Sequence, residues 1–575
     1  MAYAITQTCC SDASCVSVCP VNCIHPTPDE PDFGTATMLY VDPQVCIDCG
    51  ACADACPVDA IFPADTLAGT ANAVYVELNR DFYRRRPVAN GPDLPHFPRS
   101  LPPERPALRV AVVGTGPAAW YTADLLVRSV GARVTMIDRL PVAGGLIRFG
   151  VAPDHPDTKK ISDSFSALLQ HPRLTMLMNV EVGTDVTVAE LGSHHDAVVY
   201  AVGAGTDKPL GITGESLANS LSATTFVAWY SAHPDAANTR VDLSAERAVV
   251  IGNGNVAVDV ARILVRDPAS LARTDIADHA LAALRESKVR EVVLLGRRGP
   301  DDAAYTPSEL LALKHLPGVE LVVADHPAVR SAIAAAAPGS KAALLADLPL
   351  VPVDRTVPVD RTVPVDRAVP VDRTVPVDRA PAPTNKRIVL RFFAEAAALL
   401  GEDAVRGVEV RGNAVPAPDV PAPDVPAPDV IAAGLVLRAI GYRGRALPGL
   451  PFDAATATIP NDHGRVLDPE TGTAVPGAYV VGWIKRGPSG GIGANRECAV
   501  DTVNTIIDDA EKHQLPTARG SARAFARLVR SRKPAALDRR GLLAIDREER
   551  LAGARSGRPR VKFATIAEQL AAAGR

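Results

Sequence analysis

Leu108-Arg-Val-Ala-Val-Val-Gly114-Thr-Gly116-Pro-Ala-Ala-Trp120, with Asp138 downstream, is the stretch around which the chain is read. Arg109 to Val113 is a short, nearly continuous β-branched run, of the kind buried on both faces of a parallel sheet. Gly114 and Gly116 permit a tight turn and close backbone approach to a pyrophosphate. Ala118 and Ala119 let the next helix pack on the strand and aim its N-terminus at the phosphates. A second strand, Arg133 to Asp138, ends on an acid 22 residues after Gly116, where a ribose diol is expected. A lone glycine fingerprint is a weak sign. Strand, turn, helix, strand and acid in that order read as a dinucleotide site rather than a structural turn.

The fingerprint recurs at Ala248-Val-Val-Ile-Gly252-Asn253-Gly254-Asn255-Val256-Ala257. Its following strand, Glu291 to Gly296, ends in Arg297-Arg298 instead of an acid. An acid would repel a 2′-phosphate, whereas paired guanidiniums bind one through charge-assisted forks, so the second dinucleotide is expected to be NADP(H). Other strand-and-glycine returns are Asp196 to Gly203, Ala433 to Gly444 and Gly477 to Arg496. The last opens into a helix that offers backbone amides to a cofactor. Gly144 to Pro156, with its Pro-Asp-His turn at His155, suits backbone laid along a flat ligand.

Nine of the ten cysteines fall between residues 9 and 56, and the tenth is Cys498. Cys46-Ile-Asp-Cys49-Gly-Ala-Cys52-Ala-Asp-Ala-Cys56-Pro57 is C-x2-C-x2-C-x3-C-P, the iron–sulfur run of bacterial ferredoxins and poor spacing for zinc. Cys15-Val-Ser-Val-Cys19-Pro20 repeats its ending, which marks an internal duplication. Crossed ligation gives Cys46, Cys49, Cys52 and Cys19 to a [4Fe–4S] cluster, and joins Cys56 to Cys15 and Cys9. The first half departs from the two-cubane pattern because Cys9 and Cys10 are adjacent. It resembles seven-iron ferredoxins, whose equivalent half holds [3Fe–4S] on three ligands. Cys10 and Cys23 are then buried, non-ligating thiols, with Cys10 able to complete a second [4Fe–4S] cubane as the alternative.

At 575 residues, 47% hydrophobic and 22% charged, the chain has length for several domains. A net charge of −4 leaves no basic footprint for nucleic acid. No apolar run is long enough for a membrane span and no export signal is visible, so the cytoplasm is expected. Residues 81–106, with Arg84-Arg85-Arg86 and seven later prolines, read as a semi-rigid linker. The arginines read as a solvated face, with docking on an acidic ferredoxin surface as the alternative. Residues 351–379 are five copies of V-P-V-D-R, and residues 416–430 are three of P-A-P-D-V. Such tracts form no packed core and read as expanded loops. Residues 516–575 read as a peripheral helical tail.

Gly114–Ala119, Gly145–His155, Gly252–Arg262, Gly296–Pro300 and Gly482–Ala499 together resemble the two-dinucleotide-binding flavoproteins, and among them the adrenodoxin-reductase type of ferredoxin–NADP⁺ reductase over residues 107–515. With the ferredoxin-like segment in front, the whole is similar to the actinobacterial ferredoxin/ferredoxin-reductase fusions. The resemblance implies an α/β fold of two Rossmann-like domains behind a small α+β ferredoxin domain. The expected division is a ferredoxin over 1–80, an FAD domain from 107–205 and 433–515, and an NADP(H) domain over 206–432. It implies FAD at Gly114, Gly116, Ala118 and Asp138, with Leu146 and Val180 nearby, and Trp483, Gly490, Gly491 and Ile492 along the isoalloxazine. NADP(H) would meet Asn253, Gly254, Asn255, Val256, Arg297, Arg298, Glu309 and Gly490. His155 matches a histidine near the hydride-transfer site, a positioning role because the cofactors supply the chemistry. The implied activity is that of an NADPH:ferredoxin oxidoreductase: hydride from NADPH to FAD, then single electrons to the fused clusters and on to an external ferredoxin or monooxygenase, in either direction, by a monomer. The rival is a glutamate-synthase-type small subunit feeding a catalytic partner.

Overall fold

In the computed structural model, residues 2–36, 38–70, 72–86, 98–102, 104–337, 339–352, 386–412 and 429–575 are described. The first repeat tract lies outside them beyond Pro352 and the second up to residue 428, as do residues 87–97 and 103 of the proline-rich linker.

Two seven-stranded sheets organise the chain. The first runs in the order Asn461–Asp462, Arg465–Leu467, Ala474–Val480, Ala197–Tyr200, Arg109–Val113, Arg133–Asp138, Leu174–Met178. Its last five strands are parallel. Arg109–Val113 has its next strand in sequence on one side and the much later Ala197–Tyr200 on the other. The order reverses at its carboxyl end, and ligands of open α/β sheets bind in the crevice such a reversal leaves. The second sheet is parallel throughout: Ser220–Ser222, Leu435–Arg438, Arg247–Ile251, Glu291–Leu295, Lys386–Arg391, Val319–Ala324, Leu350–Val351. Arg247–Ile251 occupies the matching switch point. Its inner residues Ala248, Val249 and Val250 are completely buried, as helices on both faces of a parallel sheet require.

Three expectations need correction. Leu435–Arg438, read as the return to the first nucleotide domain, pairs with Arg247–Ile251 in the second sheet. Apolar parallel strands of either sheet look alike in sequence, so the partner is not encoded locally. The repeat tracts are anchored at their ends, because Leu350–Val351 closes the second sheet and Asp429–Ala432 belongs to a three-stranded antiparallel sheet. The tail is helical, over Ala522–Arg532, Arg539–Arg555 and Ile566–Ala572, but it is not peripheral. Phe525, Val529 and Ile545 are fully buried. Leu537 and Met178 exchange backbone hydrogen bonds of 2.9 Å, which covers the edge strand of the first sheet.

The amino-terminal segment pairs Tyr3–Ile5 with Ile61–Pro63 and Ile24–His25 with Tyr40–Val41. The helix Ala73–Arg85 lies across both pairs and runs past residue 80 into the stretch expected to be linker. Its buried Asn79 accepts from the amides of Ile5 (3.2 Å) and Val41 (2.8 Å) and donates to the Ile5 carbonyl (2.8 Å). Arg86 pairs with Asp32 and Glu30 on the segment's own acidic surface, whereas Arg84 stays exposed beside Asp81.

Candidate active site

In the first crevice, Gly114 has φ +112° and an added Cβ would stand 2.4 Å from the Ala201 carbonyl oxygen. Only glycine lets the turn pass there. Gly116, by contrast, has open space where its Cβ would be, at the start of the helix Pro117–Arg128, so its amide end is free to face a ligand. Ala118 and Ala119 are buried under that helix, and Gly482 packs so close that its own Cβ would lie 2.8 Å from that of Ala118. Asp138 accepts from the Thr115 hydroxyl at 2.6 Å and the Leu140 amide at 3.0 Å, and burial pushes its carboxyl above the usual range. The Val180 amide donates to the Asp138 carbonyl at 2.8 Å, which brings Val180 to the same strand end. Leu146 is 37% exposed, an uncommon state for leucine. Trp483 donates its indole N–H to the Ser489 carbonyl at 3.1 Å and leans on Tyr442. The exposed Gly490 and Gly491 precede Ile492, whose carbonyl accepts from Asn495. The residues named for the first dinucleotide thus fall at the carboxyl ends of Arg109–Val113 and Arg133–Asp138 and on the 482–492 segment, whose Gly482 packs against Ala118.

The second crevice repeats the geometry around Gly252, φ +119°, where a Cβ would stand 2.3 Å from the Ala439 oxygen. Gly254 caps the helix Asn255–Val265, and Val256 packs on the second core. Asn253 and Asn255 accept from the amides of Ala304 (3.4 Å) and Thr306 (2.9 Å), which ties the turn to the helix Pro307–Lys314 carrying Glu309. Arg297 and Arg298 extend from the strand end with side chains 75% and 71% exposed. Glu395 stands 3.8 Å from Arg297 and Asp302 3.7 Å from Arg298.

Between the crevices lies a buried charged cluster that the sequence did not disclose. Arg262, on the second fingerprint helix, donates to Asp154 at 2.7 and 3.2 Å and to Asp259 at 2.6 Å; Arg266 adds a bond to Asp154 at 2.6 Å. The Arg262 guanidinium holds the Asp154 carboxyl well below its ordinary range, against the opposing effect of burial. Ligand atoms of His155, Asp259 and Glu309 all lie within 4.8 Å of one another. Burial and the charge of Asp259 push the Glu309 carboxyl up to about 7, and burial pushes the His155 ring down. His155 and Glu309, far apart in sequence, therefore meet at the junction of the two sheets. Asp154 and Arg262 stood within the quoted motifs, yet nothing local shows that one carboxylate would reach two arginines of another sheet.

The cysteines fall into two groups. Cys19, Cys46, Cys49 and Cys52 line one cavity, beside Tyr3 and Ile47. Cys23, expected as a bystander, is buried but its sulfur lies 3.5 Å from that of Cys19, so a fifth sulfur borders the cavity. Cys9, Cys10, Cys15 and Cys56 form the other group. Burial raises the Cys9 and Cys15 thiols, and the charge of neighbouring Cys56 adds to it in both. Amides of Ser11 and Ala60 already donate to Cys9 (3.4 Å) and Cys56 (3.2 Å) sulfurs. This second group sits on the loop of the first crevice: Gly493 donates to the Cys10 carbonyl at 2.8 Å, and Arg496 to the Asp12 carbonyl at 2.6 Å.

Residues 108–294 match the pyridine nucleotide-disulphide oxidoreductase family and residues 39–62 a 4Fe-4S binding domain. A probable ferredoxin/ferredoxin–NADP reductase of Mycobacterium tuberculosis is 45% identical over 100% of this chain and 95% of its own length. The chain belongs to the ferredoxin/ferredoxin–NADP reductase family. An NADPH:adrenodoxin oxidoreductase of Arabidopsis thaliana is 37% identical over 81% of this chain and 95% of its own length. The solved structure of M. tuberculosis FprA in complex with NADPH superposes with a TM-score of 0.70 at 39% identity, covering 82% of this chain and 100% of that one. This family member is an oxidoreductase that moves electrons between NADP(H) and an iron–sulfur ferredoxin segment, in an α/β two-dinucleotide fold. These relatives lend nothing to the glutamate-synthase reading. Among the described residues no helix is long and apolar enough to cross a membrane.

Proposed function

We propose that the chain is a self-contained NADPH–ferredoxin reductase in which FAD lies in the first crevice, NADP(H) in the second, and the fused ferredoxin is the immediate electron partner. The observation that carries this reading is the seam between Cys10 and Gly493: the cysteine loop is hydrogen-bonded to the loop expected along the isoalloxazine. An added Cβ on Gly493 would stand 1.8 Å from the Ser11 oxygen, so the contact leaves no room for even one methyl group.

FAD supplies the conversion between a two-electron hydride donor and one-electron acceptors. The chain does the rest. Gly114, Gly116 and Ala118 admit the pyrophosphate, Asp138 takes the ribose diol, and Val180 and Leu146 border the ring system. Trp483 and Gly490 to Ile492 shape its far side, with Gly490 also facing the nicotinamide. Asn253 to Val256 admit the second pyrophosphate, and Arg297 and Arg298 select a 2′-phosphate. His155 and Glu309 position the nicotinamide, and the Asp154–Arg262 pair fixes the two regions around it. Cys19, Cys46, Cys49 and Cys52 would hold a [4Fe–4S] cluster; Cys9, Cys15 and Cys56 would hold a [3Fe–4S] cluster, with Cys10 close enough to make it a cubane. Fusion keeps the partner at an effective concentration on the order of mM.

The functional units are a ferredoxin over 1–86, an FAD region from 107–205 and the chain beyond Tyr442, and an NADP(H) region between them that includes Leu435–Arg438. A monomer in the cytoplasm, passing electrons to an external ferredoxin or monooxygenase or running in reverse, is the setting this reading implies for a chain that carries both reductase and ferredoxin. The separating experiment is Cys49→Ala: NADPH-driven cytochrome c reduction is expected to fall to background while ferricyanide reduction persists. Loss of both would contradict the separate roles.

A further inference from the structure

The two cysteine groups differ in what covers them. The Cys9–Cys15 loop is sealed against the reductase, with Cys10 and Cys15 buried. The other loop faces outward: Cys49 is exposed, and Ile47 is 58% exposed, the most exposed large apolar side chain among the described residues. Val18, next to Cys19 of the same cavity, is 40% exposed. Apolar side chains left in water beside a redox loop mark a contact surface that none of the described residues covers.

Charge indicates what kind of partner fits. Residues 1–79 contain ten Asp and Glu and no Lys or Arg, so all 61 basic residues lie beyond them. Where the segment meets its own reductase, cations answer those acids: Lys160 reaches Asp59 at 2.8 Å and Arg496 approaches Asp12 at 3.9 Å. On the outward loop, Asp48, between Ile47 and Cys49, and Asp54, two residues after Cys52, are both exposed.

We infer that the Val18 and Ile47–Cys49 face is the docking surface for a second protein, a one-electron carrier that presents lysines or arginines around an apolar centre. The inference rests on the electron-transfer reading above. An apolar centre within a charged rim gives both affinity and steered encounter, and the charged part weakens with salt.

The test uses the full-length holoprotein and cytochrome c, a basic one-electron carrier, joined by carbodiimide at low ionic strength and mapped by mass spectrometry. Links are expected from Asp48 and Asp54, and Val18→Lys should lower their yield about tenfold while NADPH-driven ferricyanide reduction is unchanged. Links spread over the exposed acids Asp65 and Glu77, or onto the chain beyond residue 106, would overturn the surface. Because the map is made on the unaltered chain, a variant that fails to load its clusters does not spoil the test. If the unaltered protein did not reduce ferricyanide with NADPH, the electron-transfer reading would fail instead, a distinguishable result.

Discussion

The two nucleotide crevices start from one plan and end differently. Both place a positive-φ glycine where an added Cβ would come within 2.4 Å of a facing carbonyl oxygen, and both open a helix at the strand's carboxyl end. The first then closes on Asp138, a half-buried acid held by Thr115 and Leu140; the second opens on two arginines with largely exposed side chains. A half-buried, pre-bonded acid suits a resident cofactor that does not leave. Exposed cations suit a ligand that must arrive and depart, and pick out one that carries a further phosphate. The glycine turn thus supplies a general dinucleotide seat, and the end of the next strand decides occupant and exchange.

The largest effect tests the shared part. Gly114→Val should produce protein without bound flavin and with lowered thermal stability, because the side chain collides with Ala201. Gly252→Val should keep the flavin yet lose reduction by NADPH. Flavin retained in the first variant would break the comparison.

The arginine pair should have the next largest effect. A hydrogen bond to a charged group contributes about 1.5–3 kcal/mol, so removing both cations should raise the KM for NADPH about 100-fold or more. The KM for NADH should barely move. Equal changes for both nucleotides would remove the 2′-phosphate assignment.

How much of this was legible in the sequence follows from the range of the interactions. The glycine turns, Asp138, Arg297–Arg298 and the C-x2-C-x2-C-x3-C-P run are local, since one short segment must satisfy one ligand, and the chain keeps those residues adjacent. The sheet to which Leu435–Arg438 belongs is not local, because its apolar pattern fits either parallel sheet. Nor is the docking of the carboxy-terminal helices: Glu549, fully buried, is held by Arg148 from the first region and Arg560 from the tail. The polarity of those helices suggests a solvated surface, whereas their charges are paired inside. The nearness of Cys23 to Cys19 is likewise not local: the burial of Cys23 was foreseeable, and the 3.5 Å between the two sulfurs was not.

The smallest effect sharpens the junction between the crevices. The Glu309 carboxyl is raised to about 7 from an ordinary value near 4.5. Between those two pH values the folded state binds more protons than the unfolded one, so stability declines as pH rises through that window. Glu309→Gln should remove this decline, and the difference in Tm between variant and parent should grow from pH 5 to pH 8. Parallel melting curves would show that the carboxyl is not strained by Asp259 and burial.

The central claim, that one chain carries electrons from NADPH into its own iron–sulfur segment, is tested most directly by anaerobic NADPH titration followed by visible absorbance and low-temperature EPR. The account expects flavin bleaching and a change in the cluster signals in step, at a rate independent of protein concentration. Flavin that bleaches while every cluster signal stays oxidised would contradict it.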